Sequence, residues 1–479
     1  MPEHPHVDPL EPTSRVRLGP APCALDLGDG SERGEYVAQD YILRLLGRPH
    51  RSINLMYCYY PYDKGWPKRA SDVFKPEKPF AWAYPYDDYF PYQGGPKGST
   101  RGEPFAQMMD VRRHGQDVTL TLAMDCAVKS DHLERIAEEL APFGRMRIRI
   151  NHECDGTWFA YSKRYTHKEI ADFFIRFAKI LRKRAPEVQT ICCWGSVDEK
   201  GNLRHPDLAP ILEHAHIWSL DKYLSLHFAW PFNVCEEEEL VKTFTAAGVR
   251  AVYDDIVAVY DAFVRKSGEK KPLEICEFNA DGDVAGRVRQ AEMLRQFYRK
   301  VAEKKPRFLK GITYYQFRDR GRLGLEQEDP NCRDVGIASA FLKPYREVLL
   351  HERHFSPTEA WSPLPRSARP TMRWRSAHDA EGLGWKVRVP KNPSFFEILA
   401  PKEANLLIRV GNAWFYKRPG VEWVDATEAV RAAGPTVRVS VFAPPAEGTN
   451  PRRGRGFASE TQTTLDVRPA VRVRGAWAI

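Results

Sequence analysis

Residues 146–194 read MRIRINHECDGTWFAYSKRYTHKEIADFFIRFAKILRKRAPEVQTICCW. This stretch holds one complete structural unit. Met146–Asn151 alternates apolar and polar side chains with the two-residue period of a strand. A polar, aromatic loop follows. Thr166 and Glu169 then stand three apart, the spacing of a capping box. From there Ile170, Phe173, Phe174, Phe177, Ile180 and Leu181 recur at helical spacing as far as Arg184. Thr190–Trp194 is apolar again and reads as a second strand. Strand, loop, helix and strand in this order make a β/α unit, whose two strands run parallel.

Outward from this unit the same pattern repeats. Further strands are expected at Cys23–Leu27, Ser52–Tyr57, Val118–Met124, Ile217–Leu220, Leu273–Glu277 and Gly311–Phe317. Helices are expected at Arg33–Leu46, at Ser130–Leu140 with Ser130 as N-cap, at Glu236–Ala247 closed by Gly248, at Asp254–Lys266 and at Ala285–Lys304. Eight strands alternating with helices over about 330 residues fit an α/β fold of the (β/α)₈ TIM-barrel type. A doubly wound open sheet competes, but CALDLGDGSERG after the first strand lacks the GxGxxG phosphate turn. Residues 1–20 are Pro-rich and polar, an extended arm before a barrel at 21–355. The Pro- and Ser-rich segment 356–370 reads as a linker. Beyond it, 371–479 alternates in short runs: Thr371–Arg375, Trp385–Val389, Phe395–Leu399, Asn405–Val410, Thr436–Phe442 and Thr464–Val471. These are the strands of a small all-β, sandwich-like domain.

The chain has 479 residues, 43% of them hydrophobic and 28% charged, an ordinary composition for a water-soluble protein. Nine cysteines show no zinc-ligand spacing, and they read as buried reduced thiols, which favours a reducing compartment. The N-terminus MPEHPHVDPLEPTSRVR has no apolar core of a signal peptide. A cytoplasmic location is therefore favoured unless a leader has been trimmed away. No apolar run is long enough to span a membrane, and no membrane partner is expected. Net charge is +9, and residues 356–479, with 19 Lys and Arg against 11 Asp and Glu, carry most of it. Such a surface suits an anionic polymer as well as it suits no partner at all. Nucleic acid is not expected as a partner. The residues leave oligomeric state open.

A barrel sets its chemistry at the C-terminal ends of its strands. Strand four ends in Asn151-His152-Glu153, strand seven in Glu277-Phe278-Asn279, strand three at Asp125 and strand six near Asp221. Two carboxylates across a barrel mouth match glycosidic cleavage. One protonates the leaving oxygen, and the other attacks or supports the oxocarbenium-like centre from the opposite side. Alternation places Arg149 on the same side of its strand as Glu153, one layer deeper. A buried arginine needs a partner, and Glu277 is the obvious one. On these residues alone the alternative stays open that Arg147 and Arg149 mark an exposed strand edge and no site.

The segment Arg149-x-x-His152-Glu153-x-Asp155-Gly156-x-Trp158-Phe159 resembles the strand-four motif of glycoside hydrolase clan A, closest to its family 26 of β-mannanases and related glycanases. Pro272-Leu-Glu-Ile-Cys-Glu277-Phe278 is similar to the clan's strand-seven motif, and the two Glu stand 124 residues apart. The resemblance implies a retaining enzyme, endo-acting on a β-linked polysaccharide, with Glu153 as acid/base and Glu277 as nucleophile. It implies that His152 contacts substrate or nucleophile, that Arg149 supports the site, that Trp158 stands near a sugar platform and that Tyr223 hydrogen-bonds the nucleophile. The sequence departs from the family at Ala160-Tyr161, at Asn279-Ala280-Asp281 and at Thr313–Asp319, which lacks the usual clan tryptophan. What carries over is carboxylate chemistry without mannan specificity.

The loop after strand two, from Tyr57 to Tyr92, is long and rich in aromatics, including Trp66 and Trp82. Rings of this kind can stack on sugar faces or simply pack over the barrel. Trp194, His227, Trp230, Tyr315 and Asp125 lie near other strand ends and complete the candidate substrate contacts. The partner expected is a polysaccharide or oligosaccharide, an anionic one if the basic C-terminal part takes part. Trp385, Trp414, Phe415, Tyr416 and Trp423 could form a stacking surface there. No cofactor and no metal are expected, since HExxH is absent and Asp281-Gly282-Asp283 lacks the last glutamate of a calcium loop. Two other classes compete. One is a non-catalytic carbohydrate-binding or structural protein on such a barrel. The other is a metal-dependent hydrolase in which His152, Glu153 and Asp125 converge.

Overall fold

The structure, a computed structural model, describes residues 7–15, 21–29, 36–47, 49–67, 89–114, 116–225, 246–280, 286–319, 323–329, 331–352, 354–355, 369–376, 379–389, 393–445, 460–466 and 469–475. They form two compact units, Ala21–Pro357 and a second made of Met1–Pro20 with Thr358–Ala478.

The first unit is a closed barrel of eight parallel strands: β1 (Ala24–Gly28), β2 (Ser52–Tyr59), β3 (Asp117–Met124), β4 (Met146–Ile150), β5 (Val188–Cys193), β6 (Ile217–Tyr223), β7 (Leu273–Asn279) and β8 (Leu309–Tyr314). Gly311–Tyr314 of β8 pair with Ala24–Leu27 of β1, whose Leu27 and Gly28 pair with Ile53 and Asn54 of β2. That pairing closes the ring and leaves no open edge. Strands β1, β2, β3, β4 and β7 are buried along their whole length, as parallel strands covered on both faces must be. Helices α1 (Gln39–Leu46), α2 (Phe105–Arg113), α3 (Ser130–Leu140), α4 (His167–Arg184), α5 (Ala246–Ser267), α6 (Arg287–Lys304) and α7 (Leu342–His351) alternate with them along the chain. The capping box of α4 is present: Glu169 N donates to Thr166 Oγ1 at 3.3 Å and Thr166 N to Glu169 Oε2 at 2.8 Å. Its apolar stripe is buried except Ile180, which is half-buried.

Several boundaries differ from expectation. Ser130 is the first helical residue of α3 and caps nothing, since Lys129 holds the cap position. α1 begins at Gln39 rather than at Arg33, and residues 30–35 lie outside the described residues. Gly248 ends no helix: α5 runs through it as one element to Ser267. Burial of Val249, Ile256, Val259 and Phe263 along that helix outweighs the modest cost of one interior glycine. Residues 236–245 lie outside the described residues, as do Trp82, His227, Trp230, Cys235 and Asp281-Gly282-Asp283. Seven cysteines, Cys23, Cys58, Cys126, Cys154, Cys192, Cys193 and Cys276, are buried free thiols. No helix among the described residues is long and apolar enough to cross a membrane.

The second unit is a β-sandwich-like fold. One sheet contains β9 (Asp379–Arg388), β10 (Leu406–Val410), β11 (Ala413–Lys417) and β12 (Thr436–Phe442), with β11 at one edge. A three-stranded sheet of Pro393–Leu399, Trp423–Asp425 and Ala470–Gly475 shares its core, where Trp385, Val387, Phe396, Ile398 and Val471 meet. The N-terminal stretch, expected as an extended arm, supplies Val7–Arg15, a strand parallel to β9. The single strand expected at Thr464–Val471 is two, Thr461–Thr464 and Ala470–Gly475, in different sheets. The expected linker falls largely on 356–368, outside the described residues.

Candidate active site

At the end of β4 the chain turns sharply. Asn151 and Glu153 both adopt left-handed backbone, with φ of 49° and 51°. Asparagine tolerates this region. A glutamate there stores strain of order 1–3 kcal/mol, which the surroundings must hold in place. They do so with backbone ties. Met124 N donates to Asn151 Oδ1 at 2.6 Å, Cys154 N to Cys193 O at 3.1 Å and Gly156 N to Glu153 O at 2.9 Å. The Tyr161 hydroxyl donates to His152 O. Gly156 is required for a steric reason, since a Cβ there would lie 2.5 Å from the Trp158 ring. That ring turns back so that its Nε1 donates to Glu153 Oε2 at 2.9 Å.

On the far side of the barrel a slip of register aims Glu277 inward. Leu220 of β6 pairs with Ile275 of β7, but Asp221 pairs with Glu277, so Cys276 is an extra residue. Bulges of this kind commonly re-aim side chains beside sites. Tyr223 donates to Glu277 Oε2 at 2.8 Å. His152 Nε2 lies 2.8 Å from Glu277 Oε1 and 3.3 Å from Asp221 Oδ2. Arg149, fully buried, places Nη2 3.8 Å from Glu277 Oε1 and Nη1 3.8 Å from Asp221 Oδ1. Its Nε donates to Thr121 Oγ1 at 2.7 Å, and Thr121 donates to Asn54 Oδ1 at 2.8 Å. One oxygen each of Glu153, Asp221 and Glu277, with one nitrogen of His152, all lie within 4.8 Å of one another.

Three carboxyl groups this close cannot all be ionised beside one guanidinium and one imidazole. Burial raises the Glu153 carboxyl, the facing Glu277 adds to the rise, and His152 and the Trp158 hydrogen bond only partly oppose it. Burial would raise Glu277 too, but the His152 ring, the Arg149 guanidinium and the Tyr223 hydrogen bond outweigh it and hold Glu277 below the usual carboxylate range. Asp221 is pushed well above that range by burial and then by Glu277 and Glu153, despite Arg149. The surroundings therefore favour the negative charge on Glu277 and protons on Asp221 and Glu153. A protonated acid facing an ionised carboxylate is the division of roles that acid/base and nucleophilic work needs.

Three consequences can be measured here. Activity should fall on the acid side as Glu277 takes up a proton, below the ordinary glutamate value, and on the alkaline side as Glu153 loses one, above it. Trp158→Phe removes a hydrogen bond that favours the Glu153 anion, so the alkaline limb of kcat/KM is expected to move to higher pH. The rate should drop about ten- to a hundredfold. An unmoved limb would contradict the contact. Arg149→Met strips the buried cluster of its guanidinium. It is expected to cost about 3–5 kcal/mol of stability and to shift the acid limb upward, read by denaturant melts and a pH–rate profile.

The remaining expected contacts fall into three groups. Tyr315 meets the Tyr223 ring edge-on at 6.3 Å and so lies beside the residue that donates to Glu277. Trp66 is half-buried against Tyr59 and Tyr60, in the aromatic packing at the start of the loop after β2. Asp125 and Trp194 are engaged elsewhere. Asp125 accepts from the Tyr165 hydroxyl and from Ala127 N at 2.9 Å, and Arg164 Nη1 lies 3.3 Å away. It braces the loop after β4 and presents no oxygen to the carboxyl cluster. Trp194 is 2% exposed and packs on Phe263 of α5 at 5.1 Å, because its position beyond β5 points to the helix layer. Sequence reasoning noted Asp221 only as a strand end. Asp155 went unweighed: its Oδ2 accepts from Gly195 N at 3.2 Å and Ser196 Oγ at 3.4 Å, tying the loops after β4 and β5. The Asp221-x-Tyr223 spacing, two residues on one strand face, was the available signal for Asp221.

Among the described residues, two donor sets have the spacing of a metal site: His152, Glu153, Asp221 and Glu277, and His152, Cys193 and Asp221. Asp125 belongs to neither, so the convergence of His152, Glu153 and Asp125 is not what the chain builds. Arg149 already supplies a cation 3.8 Å from both Asp221 and Glu277.

No family model matches the chain, and no curated protein does. Solved structures do. A family 51 α-L-arabinofuranosidase from Bifidobacterium longum is 12% identical, with 96% of this chain and 98% of that one covered and a TM-score of 0.47. A modular endo-β-1,4-mannanase from Cellulomonas fimi is 14% identical over 93% and 94% of the two chains, with a TM-score of 0.44. A family 39 glycoside hydrolase from Bacteroides cellulosilyticus WH2 is 10% identical over 88% and 81%, with a TM-score of 0.44. At such identities, the chemistry has to rest on this chain's own side chains.

Proposed function

We propose that the barrel is a retaining glycoside hydrolase that cleaves a β-linked polysaccharide internally by double displacement. The observation that carries this reading is the approach of Glu153 and Glu277, one carboxyl oxygen of each lying within 4.8 Å of one of the other. Separations of about 5–5.5 Å allow direct attack, whereas inverting pairs stand about 6.5–9.5 Å apart to admit a water. In the first step Glu277 attacks the anomeric carbon as Glu153 gives its proton to the departing glycosidic oxygen. The bond to that oxygen breaks and a glycosyl ester to Glu277 forms. In the second, Glu153, now a carboxylate, takes a proton from water, whose oxygen attacks the anomeric carbon and releases Glu277. Tyr223 and Arg149 steady the Glu277 carboxylate in its free form. Trp158 holds Glu153 and stands half-open beside it, 41% exposed, as a surface for the leaving sugar.

A panel of β-linked polysaccharides followed by proton NMR tests the proposal. The first product formed should keep the β configuration and then mutarotate. An α product formed first would contradict it. Oligosaccharide binding with no cleavage across the panel would favour the non-catalytic reading.

A further inference from the structure

Of the five aromatics named for the C-terminal part, Trp385 is buried in the core, and Phe415 and Trp423 are half-buried. Trp414 and Tyr416 remain, 42% and 47% exposed. They lie two residues apart on the edge strand β11, hence on one face and about 7 Å apart along the strand. The Trp414 ring is fixed by Trp374 at 6.2 Å and Phe442 at 5.8 Å, both buried, so its exposed surface is held in one orientation. Arg409, directly opposite on β10, sets its guanidinium 5.2 Å from that ring.

The same face is basic. Arg409 pairs across with Ser440 of β12, and Arg438 stands two residues before Ser440 on that face. Lys386 of β9 sits directly opposite Arg438. Like charges opposite one another destabilise a sheet. Among the described residues, no carboxylate pairs with Arg409 or Arg438. Arg409 Nε donates to Gly411 O at 3.0 Å, and its guanidinium lies beside the indole, half-buried. Fixed exposed rings flanked by uncompensated guanidinium groups complement a ligand with apolar faces and regular carboxylates.

We propose that this face is a second, non-catalytic glycan site for a carboxylate-bearing polysaccharide, with Trp414 and Tyr416 stacking on sugar rings and Arg409 and Arg438 pairing with uronate groups. The preference for a glycan over another polyanion rests on the glycosidase reading of the barrel, but the test does not depend on turnover. Full-length protein is run by affinity electrophoresis in gels containing polygalacturonate, alginate or neutral galactomannan, with oligo(dT) binding measured in parallel. The wild type should be retarded by a polyuronate at 0.15 M salt and not by galactomannan. Trp414→Ala should weaken that affinity about tenfold, as should the Arg409→Ala/Arg438→Ala pair. The arginine pair keeps the test valid if Trp414→Ala lowers the melting temperature. Unchanged retardation in the variants, equal retardation by galactomannan, no retardation by either polyuronate, or tighter binding to oligo(dT) would overturn the proposal. Retardation with the expected losses but no hydrolysis of any glycan would leave this site standing and remove the hydrolase reading.

Discussion

Glu277→Ala is expected to lower hydrolysis of the best substrate by roughly 10⁴-fold or more. No other described side chain is placed to take over. Asp221 faces the same space, but burial and its two carboxyl neighbours favour its neutral form, and a neutral acid is a poor nucleophile. The substitution also opens a gap beside Tyr223 and His152, which touch Glu277 through Oε2 and Oε1. A small external anion can use that gap. Azide should restore turnover of an activated aryl glycoside and yield a glycosyl azide of inverted, α configuration, because the anion attacks from the side the carboxylate held. Residual activity above a tenth of wild type would show that Glu277 does not carry the attack.

Glu153→Ala should show the opposite signature. With a sugar leaving group, which needs a proton, the loss should be about 10²–10⁴-fold. With a dinitrophenyl leaving group the first step needs no acid, so a rapid burst should precede slow turnover while the glycosyl ester waits for a base. Azide should speed that second step and give a β-glycosyl azide. Equal losses for sugar and aryl leaving groups would remove Glu153 from the acid role. Pre-steady-state rates with both substrate types decide it.

Much of this arrangement was legible in the chain. The alternation Arg147-Ile148-Arg149-Ile150 places Arg149 inside, and a buried cation requires an anion within reach. Glu277 is the anion that the sequence offers to Arg149, and the two lie 3.8 Å apart. The eight barrel strands were readable because each is a short apolar run, most of them followed by a helix signal. What escaped has physical causes. The Cys276 bulge is a matter of register between two strands, and no local pattern announces it. Trp194 looked like a subsite ring because its distance from a strand end is visible while its direction is not. The strand Val7–Arg15 pairs with residues more than 360 positions away, and its own composition carries no alternation. The β10–β11 hairpin could have been found. Val410 pairs with Ala413 across Gly411-Asn412, and a two-residue Gly-Asn turn between alternating runs is a recognisable hairpin signal.

The most direct measurement of the central claim is peptide mapping after inactivation. Protein is treated with a 2-deoxy-2-fluoro glycoside of the sugar found by the polysaccharide panel, with a good leaving group, then digested and analysed by mass spectrometry. One fluoroglycosyl unit should be found per chain, attached to Glu277 in the peptide around Leu273–Asn279. Label on another carboxylate, or inactivation with no covalent label, would contradict the assignment.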